Sequence, residues 1–348
     1  MKFAADAVRV TVPATSANLG PGFDAVGLAL DVRDELTFTL SPSLESSIEI
    51  HGEGENTLPR DESHLVMRTF RRTLDELGLP QAGVKLVANN TIPQERGMGS
   101  SAEAIVAGVS AAVAFAGYGD EERDFIFDLA AHIEGHPDNV APAVYGGMTV
   151  SWDFEPKTEV PLVDAPNAKP SGVVPVEADR AIFPDAAEPF KGGYHTVNYP
   201  VGEKINAWVF VPDFKLSTEE ARKALPYEVP RADALFNVSR VALLPAALSG
   251  VSGRDTNSLL FSATGDTLHQ HYRSSLMPGS WELMTFLRAH GYASTISGAG
   301  PCVLVLHEGD ATEAITDLIH DQWLAGGRWR MLHPAIDRKG VQFGPMEL

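Results

Sequence analysis

A chain of 348 residues, 44% of them hydrophobic, is long for a single hydrophobic core, and this length predicts two domains. Its 46 acidic residues outnumber its 27 basic ones and give a formal charge of -19, which argues against nucleic acid or an anionic membrane as a partner. The single cysteine, Cys302, excludes an internal disulfide and a multi-cysteine metal site. Without a signal peptide or an apolar run of membrane-spanning length, the sequence predicts a cytoplasmic protein.

The first part of the chain combines alternating apolar residues, typical of strands, with apolar residues at helical spacing. The predicted strands are residues 8–12, 35–40, 47–51, 84–88 and 148–152. The predicted helices are residues 64–77, 102–116 and 121–133. Residues 155–203 break this pattern, because their many prolines preclude long helices or a central strand. We expect an extended connection with short edge strands there.

The rest of the chain again mixes the two patterns. The predicted strands are residues 205–211, 293–296, 302–307 and about 328–332, and the predicted helices lie near 218–225, 231–249, 281–290 and 311–324. Because there is no regular βαβ repetition, the predicted class is α+β, with two layers in each domain. We expect an N-terminal domain at residues 1–204, including the connection, and a C-terminal domain at residues 205–348.

One segment between a predicted strand and a predicted helix has the composition of a phosphate-binding turn. It reads Pro93-Gln94-Glu95-Arg96-Gly97-Met98-Gly99-Ser100-Ser101-Ala102. The two glycines let the backbone approach an anion, and the free N–H groups and dipole of the helix start favour negative charge. An ordinary serine N-cap after a glycine loop is the alternative. No lysine stands between Gly99 and Ser100, so this is not a Walker A loop, and the cluster Gly20, Gly22 and Gly27 lacks Rossmann spacing.

Three further segments give this turn a context. They are Pro13-Ala14-Thr15-Ser16-Ala17-Asn18-Leu19-Gly20-Pro21-Gly22-Phe23-Asp24, then Glu134-Gly135-His136-Pro137-Asp138-Asn139-Val140-Ala141-Pro142, and finally Ser297-Gly298-Ala299-Gly300-Pro301. Together with the glycine turn they resemble, in order and spacing, the motifs of the GHMP kinase superfamily. The first two of these segments are similar to those of the homoserine kinases within it. The resemblance runs from about Val8 to Leu306.

The resemblance implies the GHMP kinase fold, with an N-terminal domain like ribosomal protein S5 domain 2 and a ferredoxin-like C-terminal domain around an active site. It implies ATP-dependent phosphorylation of the L-homoserine hydroxyl to O-phospho-L-homoserine, a step of threonine biosynthesis, by a protein that we expect to be a homodimer. ATP would be bound by residues 93–102 and, near the adenine, by Leu65 and Val66. Ser101 and Glu134 would hold Mg²⁺, and with Asn139 they would form the catalytic set. The substrate would be bound by Asn18, Asp24, His136, Asn139, Arg222 and Arg273.

The chemistry of these residue types agrees with that assignment. Mg²⁺ takes hard oxygen ligands such as hydroxyls and carboxylates, and most of the rest from phosphate and water. Homoserine carries an ammonium group, which Asp24 can meet, and a carboxylate, which the planar guanidinium groups of Arg222 and Arg273 can grip. Two alternatives remain: a different small-molecule kinase of the superfamily, such as a mevalonate-type enzyme, or a non-catalytic nucleotide-binding relative.

Overall fold

The computed structural model describes residues 2–153 and 193–347, so most of the predicted connection at 155–203 lies outside the described residues. Within these ranges, seven strands form one mixed sheet. They are β1 (Ala7–Ala17), β2 (Val26–Leu40), β3 (Ser47–Gly52), β4 (Val84–Asn90), β5 (Met148–Asp153), β6 (Tyr194–Tyr199) and β11 (Gln342–Pro345). β6 pairs only with β5, so an edge strand does occur at the end of the predicted connection.

The order of this sheet is β11-β1-β2-β4-β3, and only β3 and β4 run parallel. β2 changes partner along its length, pairing with β4 through residues 35–40 and with β5 through residues 26–28. The register of β1 against β2 shifts between Pro13 and Ala14, where proline has no N–H to give to the ladder. Beyond this irregularity, β1 continues into the first motif and ends at Ala17, so the rest of that motif lies at one end of the sheet.

Four α-helices belong to the described part of this half of the chain. They are α1 (Leu65–Glu76), α2 (Ser100–Phe115), α3 (Arg123–Glu134) and α4 (Val140–Tyr145). α2 is built of small apolar residues that are buried almost throughout, because it packs against α1, α3 and β1 at once. The predicted helices at 64–77, 102–116 and 121–133 are therefore confirmed.

A second sheet of four strands follows in the described part of the chain. It contains β7 (Ile205–Pro212), β8 (Ala293–Ile296), β9 (Val303–Glu308) and β10 (Trp329–Leu332), in the antiparallel order β10-β7-β9-β8. Numbered along the chain, this is the order fourth, first, third, second of a ferredoxin-like sheet. Along β7, Ala207 and Val209 face the core shared with the first sheet, whereas Trp208 and Phe210 face the opposite side.

The helices around the second sheet differ from the predicted ones in number and in length. They are α5 (Thr218–Lys223), α6 (Arg231–Val241), α7 (Leu244–Ser249), α8 (Thr256–Ala263), α9 (Gln270–Arg273), α10 (Pro278–Ala289) and α11 (Thr312–Ile319). The predicted helix at 231–249 is two helices, because Pro245 lies in the first turn of α7 and starts a new helix there. None of the helices in the described ranges has both the length and the apolarity needed to cross a membrane.

Two strands differ from the expectation in an informative way. The predicted strand at 35–40 is only the end of β2. The sequence pattern does not reveal its first part, because residues 26–30 are buried on both faces and show no alternation of apolar and polar residues. β11, which was not predicted, pairs with β1 and returns the end of the chain to the first sheet. The predicted domain boundary after residue 204 stays a prediction. With a single boundary there, β11 would be assigned to the C-terminal domain although it pairs with β1 of the first sheet.

Candidate active site

The glycine turn joins β4 to α2 in a conformation that only glycine adopts readily. Gly97 and Gly99 have φ angles of 77° and 72°, in the left-handed region. A Cβ on Gly97 would overlap the carbonyl oxygen of Ser297, and one on Gly99 would overlap Oγ1 of Thr15. The turn therefore packs tightly against the first and last motifs and leaves the N-terminus of α2 at a cleft.

The four motifs surround this cleft. Its lining comes from the ends of β1, α2, α3 and β8 together with α5 and α9: Ala17, Asn18, Asp24, Glu95, Gly97, Gly99, Ser100, Ser101, Glu134, His136, Asp138, Asn139, Leu216, Ser217, Thr218, Arg222, Arg273, Gly298 and Ala299. We call the part formed by Gly97, Gly99, Ser101 and Glu134 the loop end. The part formed by Asp24, Arg222 and Arg273 is called the arginine end.

At the loop end, Ser101 Oγ donates a hydrogen bond of 2.8 Å to Glu134 Oε2. Ser101 lies in the first turn of α2, and Glu134 is the last residue of α3. The Glu134 side chain is only 10% exposed, and its burial raises its pKa despite the nearby charge of His136. A hydroxyl and a carboxylate thus meet beside a helix N-terminus, a donor set that suits a hard cation such as Mg²⁺.

Beside Glu134, the histidine of the same motif is held by a second carboxylate. His136 Nδ1 lies 2.6 Å from Asp138 Oδ1, and its Nε2 lies 3.9 Å from Glu134 Oε1. Burial alone would lower the pKa of His136, but the hydrogen bond and charge of Asp138, with the charge of Glu134, raise it above its ordinary value. These contacts favour the protonated, positively charged form of the ring.

Asn139 immediately precedes α4 and is oriented by a residue of the first motif. Thr15 Oγ1 donates a 2.8 Å hydrogen bond to Asn139 Oδ1, and the backbone N–H of Thr15 donates to the carbonyl of Met98. With its oxygen engaged by Thr15, Asn139 offers its amide N–H groups as donors. The residue lines the cleft between the loop end and the arginine end.

At the arginine end, Asp24 and Arg222 form a bidentate ion pair. Arg222 Nη1 and Nη2 each lie 2.8 Å from one carboxylate oxygen of Asp24. The hydrogen bonds and charge of Asp24 raise the pKa of Arg222. Asn18 supports the turn that carries Asp24, because its Oδ1 accepts from the Asp24 N–H at 3.0 Å while its Nδ2 donates to the carbonyl of Gly298 at 3.0 Å.

Arg273 lies beside this pair but is much more deeply buried. It is 2% exposed, and in the described ranges it makes no ion pair, although it lines the cleft. Burial, reinforced by the charge of Arg222, lowers its pKa to about 10, so it remains a cation at neutral pH. The Phe23 ring packs under both guanidinium groups, with its centroid 5.8 Å from Arg222 Cζ and 5.3 Å from Arg273 Cζ.

The other residues predicted to bind ATP lie in different environments. Pro93, Met98 and Ala102 are buried within the fold, and Gln94 lies at a neighbouring cavity. Arg96 donates to the backbone carbonyls of Gln94, Pro212 and Asp213, so it anchors the turn to the end of β7. Leu65 and Val66 begin α1, away from the cleft lining, and Val66 is only 2% exposed. Their contact with adenine stays a prediction.

The last motif connects the first motif to the glycine turn. Ser297 Oγ lies 2.8 Å from Ser16 Oγ and 2.6 Å from the carbonyl oxygen of Gly97. The N–H of Gly298 donates to the carbonyl of Ala17. Three segments that are far apart in the sequence are thereby fixed around one cleft.

Sequence reasoning missed three residues that support the site. Thr15 and Phe23 stand inside the first motif but are residue types with no obvious catalytic chemistry. Asp138 stands two residues after His136 in the same motif, and the structure bonds it to that histidine. The histidine-x-aspartate spacing was the one available signal, since such neighbours often pair.

Comparison with known proteins agrees with this geometry. The family of GHMP kinases N terminal domains matches residues 64–147, and that of GHMP kinases C terminal domains matches residues 251–323. A homoserine kinase of Streptomyces avermitilis is 42% identical over 346 residues, which cover 99% of this chain and 98% of the relative. A homoserine kinase of Leifsonia xyli is 40% identical over 336 residues, covering 96% and 91%.

Among solved structures, the homoserine kinase of Cytophaga hutchinsonii superimposes with a TM-score of 0.73, covering 99% of both chains at 24% identity. That likeness concerns the fold, which is the two-domain GHMP kinase fold predicted above. The two relatives in sequence carry the argument further, because both are well above 30% identical over nearly their whole length. The chain therefore belongs to the homoserine kinase family of the GHMP kinase superfamily of enzymes.

Proposed function

We propose that the cleft transfers the γ-phosphoryl group of ATP to the side-chain hydroxyl of L-homoserine, giving O-phospho-L-homoserine on the route to threonine. One observation carries this proposal. The same cleft holds a helix N-terminus with a hydroxyl and a carboxylate at its loop end, and a carboxylate with two arginines at its arginine end. The first suits the phosphates of a nucleotide, and the second suits a free amino acid.

At the loop end, the backbone of the glycine turn and the start of α2 would bind the phosphates. Ser101 and Glu134 would hold Mg²⁺, which when bound neutralises charge on the transferring phosphoryl group. Among the described residues, no group of three or more histidine, cysteine or acidic side chains is arranged to hold a metal ion, so the ion would take its other ligands from phosphate and water. Glu134 is buried beside His136, and a cation there would stabilise its ionised form.

The adenine would lie near the start of α1. His64, which precedes this helix, is 4% exposed, and neither ring nitrogen finds a partner among the described residues. Burial lowers its pKa, so the ring is neutral and has both a donor and an acceptor to offer. The hydrogen-bonding edge of a purine beside Leu65 and Val66 would satisfy one of the two ring nitrogens.

At the arginine end, the α-ammonium and α-carboxylate of homoserine match the charges of the Asp24–Arg222 pair with opposite sign. Asp24 would meet the ammonium, and Arg222 and Arg273 would bind the carboxylate. Arg273 has no carboxylate partner in the described part of the chain, so a substrate carboxylate would neutralise it. Asn18 and His136 would complete the amino-acid side of the site.

The hydroxyl of the substrate would then lie near Asn139, whose amide N–H groups orient it without taking its proton. Asp138 is a poor candidate for a base, because it is 3% exposed and already bonded to His136. Phosphoryl transfer through a loose transition state demands little of the nucleophile, so the proton can leave late, to the phosphoryl group itself. This arrangement also disfavours the mevalonate-type alternative, which requires an aspartate base in this segment.

The proposal is tested by incubating the protein with ATP, Mg²⁺ and each of L-homoserine, mevalonate and shikimate, while ADP and the phosphorylated product are measured. We expect turnover with homoserine alone. Glu134→Gln serves as the control for contaminating kinases and should lose nearly all of it. Turnover with mevalonate instead would establish the mevalonate-type enzyme, and no turnover with any acceptor, despite ATP binding, would establish the non-catalytic relative.

Two further expectations remain proposals. We propose that the enzyme is a homodimer and that it acts in the cytoplasm. Light scattering of the purified protein across concentrations tests the first, and fractionation of the cells that make it tests the second.

A further inference from the structure

Arg273 is a buried cation whose position is fixed from behind by uncharged groups. Its Nε donates to the carbonyl oxygen of Ala221 at 3.1 Å. Its Nη1 lies 3.2 Å from His269 Nδ1, one turn earlier in the chain. His269 itself is 0% exposed, so it cannot touch a ligand in the cleft. Any influence of His269 on the site must therefore pass through its neighbours.

The contacts of His269 determine which ring nitrogen carries its proton. Nε2 lies 2.6 Å from the carbonyl oxygen of Gly20, and because a carbonyl oxygen only accepts, Nε2 must donate. In a neutral ring Nδ1 then has a free lone pair, which accepts from the guanidinium of Arg273. Burial lowers the pKa of His269, which keeps the ring in this neutral form at physiological pH.

The backbone of His269, its ring and the start of its helix are each held by neighbouring groups. Asp266, whose side chain is fully buried, accepts from the backbone N–H groups of His269 and Gln270 at 3.1 and 2.8 Å. The Phe23 ring packs against the imidazole at a centroid distance of 5.3 Å. Gln270 Oε1 accepts from the backbone N–H of Ile296 at 2.7 Å and so fastens the start of α9 to β8. His269 is therefore a fixed point from which Arg273 extends.

We propose that His269 is a positioning residue: it fixes the Arg273 guanidinium for the substrate carboxylate and ties it, through Gly20, to the turn that carries Asp24. The proposal rests on the proposed function, in which Arg273 binds that carboxylate. The two ring nitrogens have different roles in it. Nδ1 accepts a hydrogen bond from Arg273, whereas Nε2 donates one to Gly20 of the first motif.

Two nearly isosteric variants separate these two bonds. His269→Gln places an amide nitrogen near the position of Nε2 and keeps a donor for Gly20, but it removes the acceptor for Arg273. His269→Asn places an amide oxygen near the position of Nδ1 and keeps that acceptor, but it loses the bond to Gly20. Steady-state kinetics with homoserine and ATP varied in turn, together with thermal unfolding, measure both variants. His271→Gln, an exposed position on the same short helix, is the control.

We expect His269→Gln to raise the KM for homoserine about ten-fold, as expected for loss of a charge-assisted hydrogen bond, while the KM for ATP and the saturated turnover change less than about two-fold. His269→Asn should restore the KM for homoserine to within about three-fold of wild type, even where its melting temperature falls. The proposal would be overturned if His269→Asn raised the KM for homoserine more than His269→Gln does. It would also be overturned if, across both variants, the rise in this KM simply followed the fall in melting temperature.

A double-mutant cycle distinguishes this proposal from the proposed function. If His269 acts through Arg273, adding His269→Gln to Arg273→Leu should raise the KM for homoserine no further. Additive effects would overturn the positioning role and leave the function of Arg273 intact. If Arg273→Leu alone leaves the KM for homoserine unchanged, the assignment of the substrate carboxylate fails, and the role of His269 fails with it.

Discussion

The two ends of the cleft are built in different ways. At the loop end, the critical conformation comes from one short segment, in which Gly97 and Gly99 turn the chain into α2, and only Glu134 is brought from elsewhere. At the arginine end, each charged residue comes from a different element, and Asp24 pairs with Arg222 across 198 residues of sequence. Anion binding by a helix start is a local property of the backbone, whereas amino-acid recognition requires the whole fold to assemble side chains.

The supports of the two ends differ in the same sense. The glycine turn is preceded by Thr91 and Ile92, whose backbone N–H groups donate to the buried carboxyl of Asp34. Arg273 rests instead on the imidazole of His269. The loop end is fixed by hydrogen bonds from backbone N–H groups to a carboxyl group, and the arginine end by a hydrogen bond from an arginine side chain to an imidazole. Substitutions should therefore affect turnover at the loop end and homoserine affinity at the arginine end.

The largest effect is expected from Glu134→Gln. The amide is the same size and still accepts from Ser101, so the fold should be retained, but it is a much weaker ligand for Mg²⁺. Turnover should fall on the order of 1,000-fold, as when a charge-stabilising group of a phosphoryl-transfer site is lost. Asp128→Asn, at a half-exposed carboxylate on the same helix, is the control. Turnover like that of wild type at any Mg²⁺ concentration would refute the metal assignment.

Arg273→Leu should act on the other end alone. Losing a buried, charge-assisted contact with the substrate costs at least about 2 kcal/mol, so the KM for homoserine should rise about 30-fold or more, with little change in the KM for ATP. Arg273→Lys should rescue poorly, because an ammonium cannot form the planar fork or replace both the Ala221 and His269 contacts. Arg231→Leu, on the exposed start of α6, controls for net charge. Equal effects on both substrates would mean that Arg273 is structural.

The sequence predicted the loop end more completely than the arginine end, for the same physical reason. The glycine turn, its strand and its helix are local patterns, and they were found from residues 84–116 alone. Arg222 and Arg273 came from the family resemblance, because a single arginine on a short helix looks like a surface residue. Phe23, Thr15 and His269 act through contacts across the fold, which periodicity does not reveal. β2 was found only in part, because its first residues are buried on both faces.

Asp24→Asn should have a smaller effect, confined to homoserine affinity. The variant loses the charge that pairs with Arg222 and would meet the substrate ammonium, so the KM for homoserine should rise about ten-fold. Turnover at saturation should remain measurable across pH, because in the proposed function Asp24 binds the substrate ammonium and does not take the proton of the hydroxyl. A loss of several orders of magnitude in turnover with unchanged homoserine affinity would instead identify Asp24 as the base.

The smallest effect concerns the support of the loop end. Glu103 of α2 is 4% exposed and lies against Asp34, and neither Glu103 Oε1 nor Asp34 Oδ2 has an ordinary donor among the described residues. Burial, then the charge of Asp34, raises the pKa of Glu103 well above its usual value of 4.5, and burial likewise raises that of Asp34. A proton held on Glu103 and donated to Asp34 satisfies both carboxyls. The Glu53 carboxylate adds to the negative field at Asp34.

Because the folded protein binds this proton more tightly than the unfolded chain, its contribution to stability is complete below pH 4.5 and is lost as the pH rises through the raised pKa of Glu103. Glu103→Gln keeps a donor for Asp34 and removes the titration. The free energy of unfolding of the variant, relative to wild type, should therefore increase from pH 5 to pH 8, by about 1.4 kcal/mol for each unit by which the pKa is raised. Urea unfolding at several pH values measures this difference, and Glu313→Gln, at an exposed site on α11, should show none. The contribution of His269 to stability should depend on pH with the opposite sign. Because burial lowers the pKa of His269, that contribution is complete above its usual pKa of 6.5 and is lost as the pH falls below this value. If the free energies of unfolding of wild type and Glu103→Gln differ by the same amount at every pH, no proton is shared beneath the glycine turn.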